Sequence, residues 1–110
     1  MFANIPLQII YQEWGWGTDD GVRALELLKR FGSVTILNGH IHQLAQKVEG
    51  NMSFHTALST AFPQPAPGTA PSPGPMVVPA DQLRSKLGLA TVTVVQGNKP
   101  LAIVDKTLAS

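Results

Sequence analysis

His40 and His42 are the residues of this chain whose types and spacing could do metal chemistry. They stand two apart behind a glycine, in the run Ser33-Val34-Thr35-Ile36-Leu37-Asn38-Gly39-His40-Ile41-His42. Neutral imidazole is a common ligand for borderline transition-metal ions, and a glycine just ahead lets the backbone turn sharply enough to aim both rings into one cleft. A spacing of two also places residues on one face of any strand, so ordinary polar side chains at a turn would look the same. The surrounding elements decide between these readings. His55 alternates with Phe54 and reads as a solvent-facing or hydrogen-bonded histidine, not a ligand.

Val34, Ile36 and Leu37 read as a buried strand running into the pair. Leu44 to Val48, Gly50-Asn51 and Met52 to Ala57 read as a hairpin running away from it. Upstream, Phe2 to Leu7 reads as a strand broken at Pro6, which cannot donate a ladder hydrogen bond. Thr18 or Asp19 caps a helix running to about Arg30, with Asp19 and Asp20 at its positive end and Lys29 and Arg30 at its negative end. Ala24, Leu25, Leu28 and Phe31 form its apolar stripe, and Gly32 stops it. Strand, helix and strand make a βαβ-like unit with a parallel pair, whose ligands gather beyond the carboxyl ends of the strands. Asn4 to Pro6 and Gly39 to His42 both fall at that edge.

A Gly-His-x-His at such a corner, followed by a hairpin, resembles the last motif of the calcineurin-like metallophosphoesterases, a family that includes purple acid phosphatases and phosphodiesterases. The resemblance covers the C-terminal portion of that catalytic domain and extends through nearly all of residues 1–110. It implies a partial metallophosphoesterase-like β-sandwich with flanking helices, and a two-metal centre of manganese, iron or zinc type. Such hydrolysis uses ions about 3.5–4 Å apart, which activate the attacking water and neutralise the phosphoryl oxygens. By this resemblance His42 ligates the first ion, and His40 ligates the second and lies nearest the phosphate as the catalytic histidine. Asn4, in Phe2-Ala3-Asn4-Ile5-Pro6-Leu7, stands where the family has a metal-binding His before Ile-Pro-Leu. An amide oxygen there suits a hard divalent ion better than zinc or iron.

The family's other ligands lie in Asp-x-His, a Gly followed by a bridging Asp, and Gly-Asn-His. No Asp-x-His occurs here, and neither Gly50-Asn51 nor Gly97-Asn98 is followed by His. The implied activity is phosphomonoester or phosphodiester hydrolysis by a complete domain, with weak binding and little turnover by this stretch alone. The alternative is a catalytically silent remnant or a partner-binding β-rich module, which would self-associate through exposed sheet edges. Trp14 and Trp16, alternating with glycines in Glu13-Trp14-Gly15-Trp16-Gly17-Thr18, either wall a substrate pocket or anchor a loop against the sheet.

From 62 to 79 the composition shifts to seven prolines among Ala, Gly and Ser. Such a segment favours extended polyproline geometry and reads as a crossover draped over the surface of one domain. Beyond it, Ala80 to Leu87 reads as a short helix stopped by Gly88. Val92, Val94 and Val95, then Gly97-Asn98-Lys99-Pro100, then Leu101, Ile103 and Val104 read as a closing hairpin. The class is α/β or α+β with a mixed sheet.

With 110 residues the chain makes a single small domain, and a net charge of +1 carries no nucleic-acid footprint. Cysteine is absent, so disulfides, Cys-based zinc sites and thiol nucleophiles are excluded while the compartment stays open. The first residues show no basic stretch followed by an apolar one, and no window reaches the roughly 20 apolar residues of a membrane span. Any export signal would lie upstream of Met1.

Overall fold

The computed structural model describes residues 1–97 and 101–109. Strands β1 (Phe2–Ala3), β2 (Val34–Asn38), β3 (Ala45–Glu49) and β4 (Met52–Thr56) form one mixed sheet in the order β1-β2-β4-β3. β2 pairs in parallel with both β1 and β4, and β3 pairs antiparallel with β4. Three carboxyl ends therefore point the same way, at Ala3, Asn38 and Thr56. β5 (Gly88–Thr93) and β6 (Ala102–Thr107) make a separate two-stranded antiparallel sheet. The class is mixed α/β, with few helices.

Period-two alternation divides the main sheet into two faces. Ile36 and Phe54 pair on one face, where α1 (Gly21–Leu28) packs; Leu25, Ile36, Met52 and Phe54 form the core, joined by Leu7, Leu28 and Val34. Leu37 and His55 pair on the other face, and there β6 docks. Buried His55 donates Nε2–H to the Asp105 carboxylate at 3.0 Å, a tie between the two sheets.

Several boundaries differ from the sequence reading. β1 ends after two residues, because the chain turns at Asn4 and Pro6 has no N–H for a ladder. The helix starts at Gly21, later than Thr18 or Asp19, because the Thr18 hydroxyl is spent on the Pro6 carbonyl at 2.9 Å and the Thr18 carbonyl takes the Gly21 N–H. Asp20 at the N-cap makes no side-chain cap bond among the described residues. A Cβ on Gly21 would stand 1.9 Å from the Leu7 carbonyl oxygen, so only glycine permits this approach of helix to chain. The helix ends at Leu28, and Phe31 lies beyond it, exposed, with the Arg30 guanidinium 5.1 Å from its ring centroid. The short helix after the prolines divides into α2 (Ala80–Leu83) and a 3-10 turn (Arg84–Lys86), and Gly88 already belongs to β5. The last hairpin forms as expected but pairs earlier than expected, leaving Val94 and Val95 past the strand; Asn98 to Pro100 of its turn lie outside the described residues.

Asp105→Ala would leave the His55 N–H buried without an acceptor, a loss of about 1–3 kcal/mol. Urea denaturation should show that loss, and amide exchange should speed first across β5 and β6. An unchanged midpoint with unchanged exchange would mean that the tie holds nothing.

Candidate functional site

At the carboxyl end of β2 the chain must leave the sheet while keeping Ile41 inside, where it is 0% exposed. It does so by placing both flanking residues in left-handed backbone, His40 at φ +67° and His42 at φ +52°. Among the described residues these are the only non-glycine positions with positive φ. The Ile41 N–H donates to the Gly39 carbonyl at 2.7 Å, which closes a positive-φ γ-turn centred on His40. Such backbone costs about 1–2 kcal/mol per residue outside glycine, and persists where the surrounding structure over-determines it.

Asn4 comes to the same corner. Its carbonyl takes the Gly39 N–H at 3.1 Å, and its side-chain oxygen lies 3.0 Å from where a Cβ on Gly39 would stand. Parallel pairing of β1 with β2 thus brings together Asn4 and the Gly-His corner, 35 residues apart. Asn38, one residue before the glycine, is buried; its Nδ2 donates to the Ala3 carbonyl at 2.8 Å, and its Oδ1 has no partner among the described residues.

The two imidazoles differ in their surroundings. His40 is exposed, and its carbonyl accepts from the Gln64 amide at 3.3 Å. His42 is half-buried, its ring 4.3 Å from the Phe62 ring centroid, with Nδ1 2.8 Å from the Phe62 carbonyl oxygen. A carbonyl only accepts, so Nδ1 carries the proton, and in the neutral ring Nε2 then keeps a free electron pair. This is the arrangement in which a metal-ligating histidine is commonly held: one nitrogen donates to a carbonyl and the other faces the ion.

The donors at this corner, two imidazoles and an amide oxygen, have the chemistry to contribute to a divalent-ion site. They do not make up a full one: among the described residues, no three His, Cys, Asp or Glu side chains gather around a common point. Beside the corner lies a mainly apolar pocket of about 400 Å³, between the carboxyl edge of the parallel strands and β5. Asn4, Asn38, Gly39 and His55 line it together with Phe2 and Val92. His55 takes part in the tie to Asp105, in keeping with the hydrogen-bonded role read from its position.

Trp14 and Trp16 do not line this pocket. Trp16 is buried and meets Trp14 edge-on at 4.9 Å, and Trp14 meets Tyr11 edge-on at 5.1 Å, so the three rings pack the loop on itself. Among the described residues two groups titrate above their ordinary range, neither on the His turn. Desolvation and then the Glu13 carboxylate raise the Tyr11 phenol, and the hydrogen bond and charge of Glu26 raise the Lys29 ammonium.

Most of the proline-rich segment is exposed, but its start is anchored. It is fastened to the turn at Phe62 and Gln64, and Pro63 and Pro65 are buried. A general preference for polyproline geometry carries no sign of which carbonyls such a segment will meet. No protein-family model and no curated protein matches the chain.

His40→Gly should stabilise the protein by roughly 0.5–1 kcal/mol, the relieved strain less the extra entropy that glycine loses on folding. His42→Gly should give no gain, because it also loses the ring contact and hydrogen bond to Phe62. Denaturation midpoints of the two variants check this. A destabilised His40→Gly would show that the turn is unstrained.

Proposed function

We propose that the chain is the metal-binding C-terminal portion of a phosphoester-hydrolysing domain similar to the calcineurin-like metallophosphoesterases, with the His40-Ile41-His42 turn as its contribution to a two-metal centre. The observation that carries this is the His42 ring, held in a positive-φ turn at a parallel sheet's carboxyl edge with Nδ1 tied to Phe62 and Nε2 left as a donor. On this reading the four-stranded sheet and the β5–β6 pair are parts of the two sheets of a sandwich.

Divalent ions at such a site neutralise phosphoryl charge and lower the pKa of water. His42 would hold one ion through Nε2, and exposed His40 would hold the second and lie nearest the phosphate. Asn4 offers its amide oxygen at the same corner. Ion binding of this kind displaces protons from imidazole and weakens on acidification. On this reading the complete domain supplies the further ligands, and the chain alone binds weakly and turns over little.

A second reading, a partner-binding β-rich module, is favoured by Phe2 and Val48. They are 83% and 75% exposed and sit on the two outer strands of the main sheet. Unpaired strands carrying exposed apolar side chains are templates for association.

Calorimetric titration with Mn²⁺ and with Zn²⁺ separates the two readings. Wild type should give a saturable heat that is lost in the double variant His40→Ala with His42→Ala. Identical traces from both proteins would remove the metal reading and leave the module, whose sign is a sedimentation coefficient that rises with concentration.

A further inference from the structure

Beside the contacts of Phe62 with His42, Gln64 ties the proline-rich segment to the His turn by two hydrogen bonds, to the adjoining Gln43 by a third, and to its own segment by a fourth. The Gln64 N–H donates to the His42 carbonyl at 3.4 Å, and the Gln64 carbonyl accepts from the Gln43 side-chain amide at 2.9 Å. Its own side chain reaches both ways: Nε2 donates to the His40 carbonyl at 3.3 Å, and Oε1 accepts from the Gly74 N–H at 2.9 Å. This amide has one orientation, since turning it over would face oxygen to oxygen at His40 and donor to donor at Gly74. Pro63 and Pro65, buried on either side, restrict the backbone around Gln64 and bring no N–H needing a partner. Met76 N–H closes the return of the segment onto the Pro63 carbonyl at 2.9 Å.

These bonds set the register of the segment against the turn, and the register decides which carbonyl meets His42. Two residues before Gln64, Phe62 supplies both the acceptor for Nδ1 and the ring against which the imidazole rests. A slip of one residue would bring the Pro63 carbonyl to the imidazole and take the Phe62 ring away.

We infer that Gln64 is a positioning residue for the His40–His42 pair. Its amide holds the strained turn by the His40 carbonyl, and its backbone keeps Phe62 in register with His42. His42 is thereby fixed in the Nδ1–H form with Nε2 as its electron-pair donor. The value of this form for ion binding rests on the function proposed above; the positioning itself rests on the hydrogen bonds.

Gln64→Met keeps the side chain's bulk and removes both of its polar contacts. Long-range ¹H–¹⁵N spectra of the metal-free protein, recorded at about pH 8 to favour neutral imidazole, read the proton position on each histidine. His55 donates through Nε2 to Asp105 and so carries the opposite tautomer, an internal gauge of the fold. In wild type His42 should be Nδ1–H. In Gln64→Met it should become a mixture of the two forms while His55 stays unchanged, and Zn²⁺ affinity by titration should fall about 10-fold. A His42 tautomer that stays pure beside an unchanged His55 would overturn the inference. Should Gln64→Met lose the His55 signature, Gln43→Met, which removes the strut to the Gln64 carbonyl and the side-chain acceptor of the exposed Leu44 N–H, takes its place under the same two criteria. A tautomer that depends on Gln64 in a protein showing no zinc difference from His40→Ala with His42→Ala would uphold the positioning role and remove only the ion-binding reading.

Discussion

Burial of Ile41 is the constraint on which the site depends. At the carboxyl end of β2 the chain has to leave the sheet, yet residue 41 must remain fully enclosed. The backbone meets both demands by going left-handed on each side of it, at His40 and at His42. A glycine at either place would relieve the strain, so imidazole there is kept against a local energetic preference. Strained non-glycine backbone concentrates where function asks for it, and here it coincides with the chain's two candidate ligands.

What opposes that strain is distributed over elements far apart in sequence. β1 brings Asn4 against Gly39, the Asn38 amide ties back to Ala3, and the segment around Gln64 closes over the turn from the other side. None of these contacts is large by itself. Together they hold a short loop at the edge of three parallel carboxyl ends, the place where open α/β sheets commonly bind their ligands. The apolar pocket beside the corner follows from the same geometry, because β5 stands off from the sheet while its partner β6 meets it through the His55–Asp105 bond.

The remaining surface is less complete than the core. Ile36, Phe54, Leu25 and Met52 make a closed cluster under α1, whereas the outer strands of the main sheet carry exposed Phe2 and Val48. One face of the sheet is thus covered by a helix and the other in part by a hairpin. That asymmetry is why a partner-binding reading stands beside the metal reading.

Much of this was legible in the residue pattern. The apolar run of Val34, Ile36 and Leu37 marked β2, Gly50-Asn51 between two strand-like runs marked the β3–β4 hairpin, and Gly39 ahead of two histidines marked the corner, all because these signals depend on residues close in sequence. Helix and strand ends were less legible. Thr18 looks like a cap until its hydroxyl is found on the Pro6 carbonyl, and Phe31 fits the helical stripe until the helix stops short of it. The tryptophans could wall a pocket or anchor a loop against the sheet; their packing with Tyr11 into a cluster of three rings was not legible in either. The proline run could be read only as extended. Its attachment through Gln64, the tautomer of His42 and the tie from His55 to Asp105 join residues 20 to 50 apart. Periodicity fixes which way a side chain faces along its own element; which distant carbonyl or carboxylate it meets is set only when the whole chain packs.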